Sequence, residues 1–317
     1  MITKQEIEEA HKRIESYIHR TPIMSSEQIN KTLGCEIVFK CENFQKVGAF
    51  KTRGAMNAVL SLTDDKRKNG VCTHSSGNHA QALARAASIS NIPAYIVMPN
   101  NAPQVKIDAV KGYGAEIIFC EPNQKSRENT LLNVMERTNA YFIHPYDNLQ
   151  IITGQATAAK ELIEENTDLD VIIAPVGGGG LLSGTALSTF YFSPKTKVIA
   201  AEPKNADDAY RSMIENKIMP ANDPITLADG LLTSLGEYTF PIIKEYVSQI
   251  ITCSESAIVK AMKLVFERMK IIIEPSSATA LAIIMENPEI FKDHKIGIIV
   301  SGGNIDMNVY FDSLKKN

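Results

Sequence analysis

The chain has 317 residues, 44% of them hydrophobic and 22% charged, with 18 glycines and 14 prolines. These proportions sit near the globular average and exclude a disordered, collagen-like or disulfide-scaffold protein, and the length suits one large or two ordinary domains. A net charge of −3 and a pI of about 6.1 argue against nucleic acid or a membrane surface as partner, and no apolar run approaches the ~20 residues a bilayer requires.

At the N-terminus, Thr3 and Glu6 make a capping box ahead of Ile7, Ala10, Ile14 and Ile18, whose spacing predicts an amphipathic helix ended by Thr21-Pro22. A charged, helical start of this kind is no secretory signal. Beyond it, apolar runs predict strands at 36–42, 71–75, 94–99, 116–120, 140–144, 171–176, 197–202, 249–253 and 296–301. The stretches 79–90, 104–111, 126–138, 148–165, 181–190, 206–216, 255–270 and 276–285 read as helices. Continuous apolar strands alternating with amphipathic helices mean mainly parallel sheets covered on both faces. The regular rhythm from 71 to 145 reads as an inserted lobe, so a small, mobile domain is expected over 66–149 and a larger body over 1–65 and 150–317. Five cysteines (Cys35, Cys41, Cys72, Cys120, Cys253) form no C-x-x-C pair and are expected as reduced thiols in the cytosol, with Cys72 and Cys120 as buried small hydrophobes.

Ligands in open α/β sheets bind beyond the carboxyl ends of strands, and several such ends carry unusual residues. After 171–176 comes Gly177-Gly178-Gly179-Gly180 and then a helix. Four glycines leave backbone N–H groups free to converge on an anion, and the helix N-terminus adds its positive end, so a phosphate is the natural guest. The run matches neither the dinucleotide G-x-G-x-x-G nor a P-loop, and its bland alternative is a flexible turn. After 71–75 comes Ser75-Ser76-Gly77-Asn78-His79, which either caps a helix or receives a carboxylate. Ser301-Gly302-Gly303-Asn304 follows the last strand. Lys51, between Phe50 and a Gly-flanked basic turn, is either a solvated surface charge or a desolvated amine suited to Schiff-base chemistry.

A lysine, a phosphate cradle, a Ser/Asn-rich carboxylate nest and a serine at another strand end together suggest pyridoxal 5'-phosphate (PLP). The chain resembles the fold-type II PLP enzymes, a two-domain, tryptophan synthase β-like α/β fold, and within them the serine racemase and serine/threonine dehydratase family. The resemblance runs over HRTPIMSS (19–26), KCENFQKVGAFKTRGA (40–55), THSSGNHAQ (73–81), EPNQKSREN (121–129), GQATAAKE (154–161), PVGGGGLLSG (175–184), AEPKNADD (201–208), LADG (227–230), ERMKIIIEP (267–275) and VSGGNID (300–306).

The resemblance implies that Lys51 carries the cofactor as a Schiff base, with Gly177, Gly178, Gly179, Gly180 and Leu181 around its phosphate. Asn78 is expected on the ring hydroxyl, Phe50 beside the cofactor, Ser301 facing the pyridine nitrogen and Glu274 near that end of the ring. Lys51 and Ser76 then serve as bases on opposite faces of the substrate. Its carboxylate lies on Ser75, Ser76, Asn78 and His79, Arg127 is a second anchor, and Thr233 stands where serine racemases tend to have Ser. Glu202, Ala206 and Asp208 match a divalent-cation loop for Mg2+, Ca2+ or Mn2+. Lys46, Gln81, Tyr113, Lys270 and Asn304 match an inter-subunit nucleotide site for activating ATP.

Two departures stand out: Ala49 replaces a frequent Ser, and Tyr146 stands where some racemases have Asn, as it does in some dehydratases. The expected activity is interconversion of L- and D-serine with β-elimination of L-serine to pyruvate and ammonia, in a cytoplasmic homodimer. The alternatives are a dehydratase of serine, threonine or threo-3-hydroxyaspartate, a non-catalytic amino-acid or nucleotide binder, and a Rossmann dehydrogenase, which the failed glycine fingerprint disfavours.

Overall fold

The computed structural model describes residues 2–102, 104–222 and 224–315. Ten strands form two sheets. They are β1 (Ile23–Ser25), β2 (Glu36–Cys41), β3 (Val71–His74), β4 (Ala94–Pro99), β5 (Glu116–Cys120), β6 (Tyr141–Phe142), β7 (Val171–Pro175), β8 (Lys197–Pro203), β9 (Gln249–Cys253) and β10 (Lys295–Val300). The larger sheet runs β1-β2-β10-β7-β8-β9 and the smaller β5-β4-β3-β6. Every pairing is parallel except that of β1 with β2. Parallel strands need helical crossovers, and the helices cover both faces, which is why β7, and β10 beyond Lys295, are apolar and buried.

Each strand read from the sequence is present, although 140–144 contracts to the two residues of β6. The N-terminal helix, Lys4–Ile14, carries the Thr3/Glu6 capping box but stops before Thr21-Pro22, passing into a 3-10 turn at Glu15–Tyr17. The strand β1 and the helices Glu27–Leu33, Lys51–Leu60, Thr239–Tyr246 and Met307–Lys315 are not among the elements expected from the sequence.

The most consequential difference is at Lys51, which opens a helix rather than sitting on a turn. Gly54 disguises that helix. It marks the crossing of Lys51–Leu60 with the helix Leu149–Glu165, where Gly154 faces it and the Gly54 N–H donates to Gln155 Oε1 at 3.2 Å. Backbones this close leave no room for a side chain on either glycine.

The smaller sheet is built wholly from 71–142. Its apolar cluster also takes in Ala55, Met56, Ala58 and Val59 from the Lys51 helix, together with Ala80, Leu83 and Ala87 from the helix Asn78–Ile89. The Lys51 helix therefore packs into the smaller sheet's cluster while crossing the helix Leu149–Glu165. All five cysteines are free and buried.

Behind that helix lies a buried ionic network. Arg53 donates to both oxygens of Glu42 (2.7 and 2.8 Å) and both of Glu161 (2.7 and 2.8 Å), while Lys40 reaches Glu161 Oε2 at 2.7 Å. All four side chains are essentially inaccessible.

Candidate active site

Five strand ends deliver polar groups to one side of the two sheets: β2 through Lys51, β3 through Ser75–Asn78, β7 through Gly177–Gly180, β8 through Glu202, and β10 through Ser301. Lys51 Nζ donates to the Pro145 carbonyl at 2.9 Å and lies 5.2 Å from the centre of the Phe50 ring. Burial lowers its ammonium to about 8, with the charge of Glu274 acting the other way. An amine with that value is still mostly protonated at pH 7, but roughly a tenth of it is free base, far more than for an ordinary lysine, which suits Schiff-base chemistry.

The tetraglycine run leads directly into the helix Gly180–Phe192, whose N-terminus has no side-chain cap. Gly179 sits at φ 89°, a conformation that favours glycine. The Tyr146 ring packs against Gly178, and Tyr146 backbone atoms crowd Gly180. Burial pushes the Tyr146 phenol up to about 12, with a hydrogen bond from Thr233 opposing. These features fit a phosphate: an uncapped helix end, close-packed glycines and no acidic side chain in the helix's first turn.

At the β3 end, the Ser75 hydroxyl accepts from the Gly77 N–H at 3.3 Å and does not cap the following helix, whose N-cap is Gly77 without a side-chain bond. The capping alternative for this cluster is thereby set aside. Ser76 is partly exposed beside it.

Asn78 Nδ2 donates to both Glu274 oxygens (3.2 and 3.0 Å), and its Oδ1 accepts from Asn304, which also reaches the Val47 carbonyl at 2.6 Å. Burial pushes Glu274 up to about 7, against the Asn78 hydrogen bond. Ser301 Oγ lies 2.9 Å from Ser277 Oγ, and Ser277 binds Gly302 through both its N–H and its carbonyl. This corner therefore brings together Asn78, Glu274, Asn304 and, through the Ala49–Gly302 bridge, the segment leading to Lys51.

His79 is buried, and burial followed by the charge of Lys51 holds it well below its ordinary value, with a hydrogen bond to the Ile143 backbone acting the other way. His74, Phe142, His144 and Tyr146 form a ladder of ring contacts leading to the glycine run. Arg127 is partly buried on the helix Gln124–Thr138, and its Nε is buried without a hydrogen-bond partner.

Glu202 is buried near the end of β8 and accepts from the N–H groups of Ala209 (2.8 Å) and Tyr210 (2.9 Å). Asp208 is buried with neither carboxylate oxygen bonded. Burial pushes Glu202 to about 8 and Asp208 to about 7. Among the described residues no group of three or more His, Cys, Asp or Glu side chains is arranged to hold a metal. Two unneutralised buried carboxylates beside Ala206 nevertheless fit a hard cation completed by carbonyl and water oxygens.

Of the nucleotide positions, Lys46 and Asn304 lie at the Asn78 corner and Gln81 is one turn along the same helix. Tyr113 interacts electrostatically with Arg85, and Lys270 caps its helix in the left-handed region with Nζ on the Glu267 carbonyl at 2.7 Å. Sequence reasoning missed Pro145, Asp147 and Ser277. Each acts through a partner more than 20 residues away, so no local pattern marks it.

The family described as pyridoxal-phosphate dependent enzyme matches residues 14–302. A serine racemase of Dictyostelium discoideum is 51% identical over 97% of this chain and 96% of its own. A beta-hydroxyaspartate dehydratase of Paracoccus denitrificans is 49% identical over 96% and 97%, respectively. The solved structure of maize serine racemase superposes with a TM-score of 0.94 at 45% identity, covering 98% of this chain and 96% of that one.

Proposed function

The chain belongs to the pyridoxal-phosphate dependent enzyme family, and from that premise we propose that it interconverts L- and D-serine and also eliminates water from L-serine to give pyruvate and ammonia. The observation that carries the reading is Lys51, a desolvated amine held on the Pro145 carbonyl at the head of its helix. The full-length similarity to serine racemases supports serine as the substrate.

Lys51 is the residue to hold PLP, the uncapped turn at Gly177–Leu181 its phosphate, Asn78 its hydroxyl, Phe50 its flank and Ser301 its pyridine nitrogen. When bound, the cofactor supplies an electron sink for the pair left on Cα after proton loss. The Ser301–Ser277 hydroxyl pair does not keep a pyridine nitrogen protonated as an aspartate would, which favours brief carbanion chemistry over transamination.

The substrate carboxylate is received by the Ser75–His79 turn, with Arg127 as second anchor and Thr233 facing the side chain. Lys51 Nζ takes the α-proton from one face of Cα and Ser76 Oγ exchanges it on the other. Return of a proton to the opposite face gives the enantiomer, while departure of the β-hydroxyl as water gives the enamine that hydrolyses to pyruvate and ammonia.

The decisive experiment incubates PLP-loaded protein with L-serine and Mg2+ and scores D-serine and pyruvate by chiral chromatography. D-serine above the enzyme-free control is expected, and Ser76→Ala should suppress racemisation far more than α-proton exchange from L-serine. Pyruvate without D-serine would establish the second reading, dehydration of serine, threonine or threo-3-hydroxyaspartate. That reading draws on the similarity to the Paracoccus dehydratase and on Tyr146 beside the glycine run.

We further propose a cation site, a mobile domain and a nucleotide site. Glu202, Asp208 and the Ala206 carbonyl bind Mg2+, Ca2+ or Mn2+, which supports the loop and does no bond chemistry. The segment 66–149 closes over the substrate as a small domain, in keeping with its own sheet and with the one ion pair that joins it to the rest among the described residues, Lys106 to Asp229 (2.7 Å). Lys46, Gln81, Tyr113, Lys270 and Asn304 bind ATP across a homodimer in the cytoplasm. Among the described residues no helix is long and apolar enough to cross a membrane.

A further inference from the structure

We propose that Asp147 is a positioning residue that sets the affinity for the cofactor phosphate by fixing the back of the glycine cradle. The inference rests on Gly177–Gly180 being that cradle. Asp147 emerges from the smaller sheet's last strand, two residues after Pro145, whose carbonyl accepts from Lys51.

Its carboxylate accepts three backbone N–H groups in succession: Glu237 on Oδ2 at 2.9 Å, and Tyr238 and Thr239 on Oδ1 at 2.8 and 3.2 Å. These are the N-terminal donors of the helix Thr239–Tyr246, which has no side-chain cap of its own. Asp147 thus caps that helix from about 90 residues away in sequence, and its negative charge complements the helix's positive end. Gly236 lies so close that a β-carbon there would collide with the carboxylate.

The capped helix in turn touches the cradle at several points. Thr239 Oγ1 donates to the Gly178 carbonyl at 2.8 Å, and the Thr239 carbonyl accepts from Ser183 Oγ at 3.4 Å, within the first turn of the cradle helix. Thr239, Ile243 and Leu235 all crowd Gly179.

On its other side, Asp147 is held by its own N–H, which donates to His144 Nδ1 at 2.8 Å. That bond fixes the imidazole as an acceptor at Nδ1. The segment His144–Asp147 therefore connects the lysine that carries the cofactor to the loop that holds its phosphate. A chain of bonds of this kind transmits positional error: freeing Asp147 loosens Thr239, and Gly178 loses the bond that fixes its carbonyl.

The test is cofactor affinity, measured on the apo-protein by equilibrium dialysis with PLP and, separately, with pyridoxal, which lacks the phosphate. Wild-type protein should hold PLP much more tightly than pyridoxal; equal affinity would instead overturn the assignment of the cradle itself. Asp147→Ala should raise the Kd for PLP by roughly 3- to 30-fold, the range set by losing a helix cap, and leave that for pyridoxal unchanged.

Thr239→Val should weaken PLP binding comparably, and the double variant should be no weaker than the weaker single one, since both act through one chain of bonds. Asp147→Asn retains an acceptor oxygen for two of the three N–H groups and should fall in between, which keeps the test open if the alanine variant is insoluble. Equal weakening of PLP and pyridoxal, unchanged PLP affinity in both Asp147 variants, or additive losses in the double variant would each overturn the proposal.

Discussion

Glu161 offers the sharpest test of the packing behind the Lys51 helix. Its two oxygens accept from Arg53 Nη1 (2.7 Å) and Nη2 (2.8 Å) and from Lys40 Nζ (2.7 Å), with His11 Nε2 at 3.2 Å. Two buried cations, Lys40 and Arg53, are thereby balanced by two buried carboxylates, Glu42 and Glu161.

Glu161→Gln keeps the shape and one acceptor oxygen but removes the charge, leaving Lys40, whose other bond runs to the Thr21 carbonyl (2.7 Å), without its carboxylate. Each ion pair at 2.7 Å is worth roughly 6 kcal/mol gross at an effective dielectric constant of about 20, before desolvation is subtracted. The net cost of stranding a buried charge is about 3–5 kcal/mol. For a chain of this size that lowers Tm by roughly 4–8 °C, and it moves the urea midpoint at unchanged slope.

The pH dependence carries the sign. Burial alone raises the Glu161 carboxyl, but hydrogen bonds from His11 and Arg53 and the charges of Arg53 and Lys40 outweigh it and hold the group far below its ordinary value of 4.5. A depressed carboxylate contributes stability that is full above that value and lost as pH falls toward the folded one. Wild type and Glu161→Gln should therefore differ most at neutral pH and converge on acidification. Asp168→Asn, which breaks an exposed pair with Lys295, serves as control and should shift the midpoint little. A Glu161→Gln loss below about 1 kcal/mol, or one that persists unchanged at pH 3, would refute the reasoning.

Two further outcomes are expected. Lys51→Ala should remove both the visible absorption of PLP-loaded protein and all turnover of L-serine, and an absorption spectrum with a product assay checks it; retained turnover would sink the assignment. Millimolar Mg2+ should raise the melting temperature of wild type but not of Asp208→Asn, because Asp208 brings two oxygens with no protein partner; equal responses in a thermal-shift series would remove Glu202 and Asp208 from consideration as a cation site.

The strands were legible because parallel sheets bury both faces, so each appears as an unbroken apolar run between turn residues. β1 was not, since its three residues, Ile23–Ser25, are too few to show a period and pair with only one neighbour. The Lys51 helix was hidden for another reason. Eight of its ten residues are buried, from Thr52 to Val59, so it has no polar face to alternate with an apolar one. Gly54 reads as a breaker in the sequence, whereas in the fold it is the contact that lets two helices cross. Periodicity detects elements with one wet side, and the element bearing the candidate cofactor lysine has almost none.

The candidate site divides along the same line. Gly177–Gly180, Ser75–Asn78 and Ser301 were visible because a strand end followed by small polar residues is a local pattern with a physical meaning. The groups that hold those loops in place were not. Ser277 meets Ser301 from 24 residues away, Pro145 meets Lys51 from 94, and Asp147 meets Tyr238 from 91. None belongs to a local pattern with a chemical meaning of its own, because none performs chemistry on its own; each fixes the position of a residue that does. A chain read by itself reveals what must point at a ligand, since those residue types are few and their spacing is constrained. What keeps them pointing there depends on which distant backbone groups the fold leaves without partners. Here these are the N–H groups at the start of the Thr239–Tyr246 helix, and the residue that satisfies them, Asp147, becomes recognisable only once the two segments are side by side.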